Sequence, residues 1–409
     1  MASRGVARMD APPTVIGLPV VLIVVGTRPE CIKLVPLIRA LRERGSLRPL
    51  VVNSGQHREG VREVMASFGI RADIELEALP PLASLRAASD RLRERLRAVI
   101  DAAAPARVVV QGDTLTAYAG ARAAADAGCR VVHVEAGLRT DSVKDPFPEE
   151  WFRRRIARLA ELHCAPSASA VDNLLREGVD PARVHRTGNT AIDCLRELVG
   201  TWADGDSAAP GTRNTVVVTL HRRENWGGNA DVICDALLEI AARRPALRFT
   251  FPVHPNPRVA PRIRERLEGK RGFDLVAPMA YGAFVRAAAA AALIVSDSGG
   301  VQEEAPHLGT PVLVPRTNTE RPEALATGFV RLVVADREHL VAAALTALAA
   351  PRRPPLPFDD AAPFGAGDAG RRIAELLEAD VAAESHCLAE RRHDSAAPPA
   401  SPARAAVGP

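Results

Sequence analysis

Aromatic residues make up 4% of this chain, too few for the stacked platforms on which single-stranded nucleic acids are held. The six cysteines (Cys31, Cys129, Cys164, Cys194, Cys234, Cys387) lie far apart and form no CxxC pair. That pattern suits thiols in a reducing compartment and leads us to expect neither a disulfide nor a zinc site. Long apolar runs are missing as well: the run 20–25 is too short to span a membrane and leads into Gly26-Thr27-Arg28-Pro29 without a small-residue cleavage site, so a soluble, cytoplasmic protein is expected. The turn after the first run holds a single glycine, which excludes a GxGxxG dinucleotide fingerprint there; GxxxxGK[ST] does not occur, which excludes a Walker loop, and no repeat of 20–50 residues is visible. Lysine is scarce. The formal charge of +4 comes from arginines interleaved with acids, as in Arg91-Leu92-Arg93-Glu94-Arg95, which reads as solvated helix faces and not as a nucleic-acid stripe.

What is present is globular: 409 residues, 47% hydrophobic and 25% charged, enough for two cores. Short β-branched runs at 20–25, 50–52, 108–110, 131–134, 216–220, 249–253, 293–295 and 312–314 alternate with helical patterns, the signature of parallel strands covered on both faces, and the series occurs twice. After the first run, Leu34, Leu37, Ile38 and Leu41 share one helix face while Arg39, Arg42 and Glu43 fall on others, and Pro36 is expected in the first turn. The segment 203–214 separates the two series, with a hinge near Thr187-Gly188-Asn189-Thr190. We therefore expect an N-terminal extension without order at 1–19, a first Rossmann-like domain at 20–190, a second, nucleotide-binding one at 191–382 whose final helix packs back on the first, and a disordered tail at 383–409.

Candidate chemistry gathers where strands end. Ser298-Gly299-Gly300 follows the run 293–295, so free N–H groups of a helix start, a hydroxyl and two glycines offer an anion site suited to a sugar-nucleotide diphosphate, with Arg321 adding charge and Glu304 one turn on facing ribose hydroxyls. Arg28 and Lys33 follow the first strand. Asp113 in Gln-Gly-Asp-Thr, Glu135 in His-Val-Glu-Ala-Gly-Leu-Arg-Thr and Glu149 in Pro-Phe-Pro-Glu-Glu each read either as helix caps or as convergent acid/base groups. His221, in Thr-Leu-His-Arg-Arg-Glu-Asn, stands among charged neighbours at a strand end and is a candidate to shuttle a proton; His254-Pro255-Asn256-Pro257 reads chiefly as a rigid loop. Tyr281 and Phe284 form either a wall for a pyrimidine or part of the core.

GTRPE-x-x-K, QGDT, HVEAGLRT, P-x-PEE, TGNT, T-x-HRREN, HPNP, SDSGG-x-QEEAP-x-LG-x-PVLV and TERPE stand here in the order found in non-hydrolysing UDP-N-acetylglucosamine 2-epimerases, which this chain resembles from about Val21 to Val334. The resemblance implies a GT-B-like α/β fold, two Rossmann-like doubly wound domains facing across a cleft, usually a homodimer. It implies interconversion of UDP-N-acetylglucosamine and UDP-N-acetylmannosamine through loss of UDP to 2-acetamidoglucal and its return on the other face, with no cofactor, metal, nucleic acid or membrane partner. By motif position, Asp113, Glu135, Glu149 and His221 would be the acid/base and sugar-contact groups. Arg28, Lys33, Ser298, Gly299, Gly300 and Arg321 would hold the diphosphate, Glu304 the ribose, and Tyr281 and Phe284 the uracil. Departures also occur: Glu150 is followed by Trp151-Phe152-Arg153 where the family has Asn-Arg after one residue, and Pro80-Pro81-Leu82-Ala83-Ser84-Leu85 replaces a Gln-Thr-Leu element. In bacterial relatives the latter region and the segment matching Gln56-His57-Arg58 serve an activating site, so the departure argues against allosteric activation. A hydrolysing epimerase, an epimerase of a related UDP-sugar, a GT-B glycosyltransferase and an inactive UDP-sugar sensor are the alternatives.

Overall fold

Val20–Val25 (β1) is fully buried from Val21 onward, as a central parallel strand covered on both faces requires. It belongs to a computed structural model that describes residues 17–80, 84–140, 142–143, 146–202 and 214–395, with side chains described up to 386. Around β1 stand β2 (Arg48–Asn53), β3 (Ile74–Glu75), β4 (Arg107–Gln111), β5 (Arg130–Val134), β6 (Leu162–Ala165) and β7 (Val184–Arg186), in the order β3-β2-β1-β4-β5-β6-β7. A second sheet holds β8 (Thr215–Thr219), β9 (Arg248–Pro252), β10 (Phe273–Val276), β11 (Leu293–Ser296), β12 (Val312–Val314) and β13 (Val330–Leu332), in the order β10-β9-β8-β11-β12-β13. The pairings are parallel in both sheets, with helices on both faces: an α/β, doubly wound fold built twice.

Strand order reverses between β1 and β4 in the first sheet and between β8 and β11 in the second. Loops leaving such neighbouring strands diverge to opposite faces and leave a crevice at the carboxyl edge, where open α/β sheets bind ligands. The two crevices face each other, and every motif named above that follows β1, β4, β5, β8 or β11 opens into the space between them.

The lobes are joined closely. Asn189 N–H donates to the Phe364 carbonyl at 2.8 Å, and a Cβ on Gly365 would lie 3.0 Å from Gly188 Cα, so the outgoing and returning chain cross side by side. Pro36 lies inside the helix Arg28–Arg44, not in its first turn, because Thr27 caps that helix and Pro29 takes the early position. A proline there leaves the carbonyl four residues back without its helical donor. That carbonyl, Ile32 O, accepts instead from Cys194 Sγ at 3.2 Å, a thiol on the helix Thr190–Gly200 whose burial pushes its titration up and keeps it a donor.

The final helix, Ala369–Ser395, crosses back and packs Ile373, Ala374, Leu377 and Val381 against the first lobe. It also corrects the expected disorder from 383 onward, for residues 383–395. Arg107 at the start of β4 is 1% exposed and pairs with Asp380 and, at 2.5 Å, with Glu384, so charge holds the stretch 380–384 of this helix to the first lobe beside Val381. Residues 1–16, 203–213 and 396–409, which carry most of the expected extension, linker and tail, lie outside the described residues.

Candidate active site

The turn after β1 brings the first cations. Thr27 caps the helix Arg28–Arg44, and Glu30 accepts from Gly26 N–H at 3.0 Å and from the Thr114 hydroxyl at 2.5 Å, tying this turn to the one after β4. Burial pushes the Glu30 carboxyl up to about 7 against those donors. Arg28 reaches across the cleft to the Met279 carbonyl at 3.1 Å. One turn and a half on, Lys33 pairs with Glu135 and lies 3.8 Å from Glu303. Burial alone would discharge this ammonium, but the two carboxylates outweigh it and hold it a cation.

Asp113 and Glu135 leave the adjacent strands β4 and β5 through turns with φ of +69° at Gly112 and +64° at Glu135. A non-glycine residue held in the left-handed region is strained by about 1–3 kcal/mol, a conformation that persists at sites whose surroundings fix it. Here Gln111 and Lys33 clamp the Glu135 carboxylate, and a neutral, buried His133, pushed down to about 4 by desolvation, braces the Gly112 carbonyl at 2.8 Å. Asp113 meets Arg153 at 2.5 Å. Burial would raise the Asp113 carboxyl, yet the Arg153 and Arg222 guanidinium groups hold it below its usual range, so it stays ionised. Glu149, at the start of the helix Glu149–Ala157, lines the same space with Oε2 buried and, among the described residues, without a hydrogen-bond partner.

The second lobe answers with His221 and Asp297. Thr219 in β8 pairs with Ser296 in β11, so the residues just beyond them meet. Asp297 accepts from the backbone N–H of His221 and Arg222 and from Asn225 Nδ2, all at 3.0–3.1 Å, and lies 3.0 Å from His221 Nδ1. Burial opposes ionisation of Asp297, but His221 and the three N–H donors hold its carboxyl at about 2. The ring is thereby fixed with Nδ1 on the carboxylate and Nε2 left for the cavity, and His254 stands with its ring centroid 6.3 Å away. Next to Asp297, Ser298 opens the helix Gly299–Leu308 without a side-chain cap. Arg321 lies over that helix start: a Cβ on Gly299 would fall 2.5 Å from its guanidinium.

These groups share one cavity of about 660 Å³ between the lobes. Asp113, Glu135, Glu149, His221, Arg28, Lys33, Tyr281, Phe284, Ser298, Gly299, Gly300 and Arg321 all line it. Glu304 does not: it stands behind Tyr281, whose hydroxyl donates to it at 3.0 Å, and burial pushes its carboxyl up to about 8. Tyr281 and Phe284 both wall the cavity and rest on the second-lobe core. Sequence reasoning left several participants unassigned: Glu30, Gln111, Arg153, Arg222, Asn225, Asp297, Glu303 and Glu320. Most sit inside the quoted motifs, but the pairing of each depends on a neighbour brought in from another strand or the other lobe. Glu320 is the clearest case, fully buried between Arg153 at 3.1 Å, Arg316 at 3.1 Å, Arg321 at 3.3 Å and Arg222 at 3.5 Å, which hold it well below the ordinary carboxylate range despite burial.

The family model of UDP-N-acetylglucosamine 2-epimerase matches residues 39–378. The chain belongs to that family. A probable UDP-N-acetylglucosamine 2-epimerase of Ralstonia nicotianae is 40% identical over 378 residues, covering 88% of this chain and 98% of the relative. The crystal structure of UDP-GlcNAc 2-epimerase from Neisseria meningitidis bound to UDP-GlcNAc superposes with a TM-score of 0.81 at 35% identity, over 88% of this chain and 99% of that one. The enzyme of Methanocaldococcus jannaschii in complex with UDP-GlcNAc and UDP gives 0.78 at 30% identity, over 88% and 99%. The epimerase fold is thus GT-B-like, two Rossmann-like lobes about a cleft. Among the described residues no helix is long and apolar enough to cross a membrane.

Proposed function

We propose that this epimerase is non-hydrolysing and interconverts UDP-N-acetylglucosamine and UDP-N-acetylmannosamine, acting as a cytoplasmic homodimer. The observation that carries the reading is the meeting, in one cavity, of two carboxylates from the first lobe with an oriented imidazole and an arginine-covered helix start from the second. The proton on C2 of the sugar is too weakly acidic to be removed alone. Its loss to a carboxylate is therefore coupled to breaking the C1–O bond, the electron pair leaving with UDP and a C1–C2 double bond forming as 2-acetamidoglucal. Protonation of C2 from the other face and return of the diphosphate oxygen to C1 complete the inversion. Asp113 and Glu135 are the groups assigned to C2, with Glu149 and His221 serving the sugar and the leaving group. Arg28, Lys33, Arg321 and the N–H groups at Ser298, Gly299 and Gly300 would hold UDP beside the unsaturated sugar, Tyr281 and Phe284 would flank uracil, and Glu304 would reach the ribose only through Tyr281.

Incubation with UDP-N-acetylglucosamine as sole substrate in deuterated water tests this. We expect deuterium at C2 of both epimers with UDP still attached, followed by NMR. Free N-acetylmannosamine with an equal amount of UDP would establish the hydrolysing reaction instead, and no exchange without an added acceptor would point to a glycosyltransferase.

A further inference from the structure

Two cations in the cavity are shared among three carboxylates. Lys33 pairs with Glu135 and approaches Glu303; Arg321 binds Glu303 at 2.5 Å, Glu320 at 3.3 Å and Glu135 at 3.3 Å. The side chains of Glu303 and Glu320 are fully buried and belong to the same lobe as Arg321, so both pairs are shut off from the cavity and from water. Glu135 differs on both counts. It comes from the opposite lobe and its side chain keeps some exposure to the cavity.

Arg321 is also the cation nearest the helix start. Its guanidinium lies within 2.5–2.8 Å of where a Gly299 Cβ would be, so an anion seated on the N–H groups of Gly299 and Gly300 meets the guanidinium edge that Glu135 holds. Two anions then compete for one site. Exchange of Glu135 for a diphosphate keeps Arg321 paired throughout, while Lys33 and Gln111, both from the first lobe, keep the Glu135 carboxylate aimed into the cavity.

We infer that the substrate's diphosphate displaces Glu135 from Arg321, so that nucleotide binding itself removes one of the two cations from the carboxylate that takes the C2 proton. The inference rests on the reading above that the second lobe seats a UDP-sugar, and it gives Glu135 a second task as counter-anion of the diphosphate site. Its consequence runs against ordinary expectation for a catalytic residue: removing the charge should improve nucleotide binding.

Titration calorimetry of the intact protein with UDP and with uridine, at fixed ionic strength, tests it. In Glu135→Gln, UDP should bind about tenfold more tightly than to the unaltered protein, while uridine, which lacks the diphosphate and reports an intact fold, binds equally. Asp113→Asn, which removes a carboxylate held by Arg153 and not by Arg321, should tighten UDP by less than about threefold through general charge alone. Unchanged or weaker UDP binding by Glu135→Gln, with uridine affinity retained, overturns the exchange, and so does an equal gain in Asp113→Asn. A protein in which UDP binds no better than uridine removes the diphosphate site and with it the functional reading as well.

Discussion

At the scale of single residues, the site depends on side chains that other side chains hold in place. Asp297 is fully buried behind the cavity, yet it fixes which nitrogen of His221 faces that space. Asp297→Asn keeps the shape and can present an amide N–H to Nδ1, which turns the ring to the other tautomer. We expect kcat to fall by about a hundredfold or more with KM for the UDP-sugar nearly unchanged, since the lost interaction matters at proton transfer. An unaltered kcat would remove His221 orientation from the mechanism. The same carboxylate carries a pH signature. Its folded value of about 2 lies below the ordinary value near 3.8, so its contribution to stability is present above about pH 4 and is lost as pH falls toward 2. Folding stability of the unaltered protein should therefore decline more steeply on acidification from pH 5 to pH 3 than that of Asp297→Asn, by about 2 kcal/mol at most. Denaturant titrations across that range would show it. None of this was readable from Ser296-Asp297-Ser298 as a motif, because it needs β8 and β11 to be neighbours in register.

At the scale of elements, the runs that were legible are the central strands, whose residues are apolar without alternation because helices cover both faces. β3, β6, β7, β10 and β13 escaped for a physical reason: they are short or lie toward the sheet edges, and polar residues such as His163 and His185 interrupt them. Strand ends carried most of the site information, since a parallel sheet delivers every βα turn to one edge. What the turns do next depends on close approach. Gly299 shows this best: its missing side chain lets the Arg321 guanidinium lie against the start of the helix Gly299–Leu308. Arg321 is 4% exposed and pinned by three carboxylates, so it has little room to yield. Gly299→Ala should weaken UDP binding about tenfold, a cost of about 1.4 kcal/mol, while an alanine at a helix start leaves the helix itself intact. A calorimetric Kd for UDP unchanged by this substitution would show that the guanidinium and the helix end do not act on the same anion.

At the scale of the whole molecule, closure of the two lobes is built from contacts that only a folded pair can make. Arg39 pairs with Glu197 at 2.6 Å, Arg28 and Arg223 reach carbonyls across the cleft, and Glu323 of the Thr319-Glu320-Arg321-Pro322-Glu323 loop accepts from Ser169 N–H at 2.9 Å, at the start of the helix Ala168–Arg176 on the other lobe. The sequence marked this loop for a ligand, and indeed Arg321 faces the cavity, but the acids on either side of it, Glu320 and Glu323, bind the opposite lobe. One short loop thus grips both the proposed diphosphate and the facing lobe, which couples occupancy of the cleft to its closure. If UDP and the glucal are held together only while the cleft is shut, loosening the grip without touching the cations should let them escape before UDP returns to C1. Glu323→Ala removes the contact to Ser169, which as a helix-start interaction is worth on the order of 1 kcal/mol. We expect UDP binding by the variant to change by less than about threefold, because the second lobe supplies most of that site, while the fraction of turnovers ending in free UDP and free 2-acetamidoglucal rises several-fold. Measuring both products against epimer formation decides it: a variant that epimerises more slowly yet releases no more UDP would mean that the Glu323 contact sets the rate of closure and does not retain the detached pair.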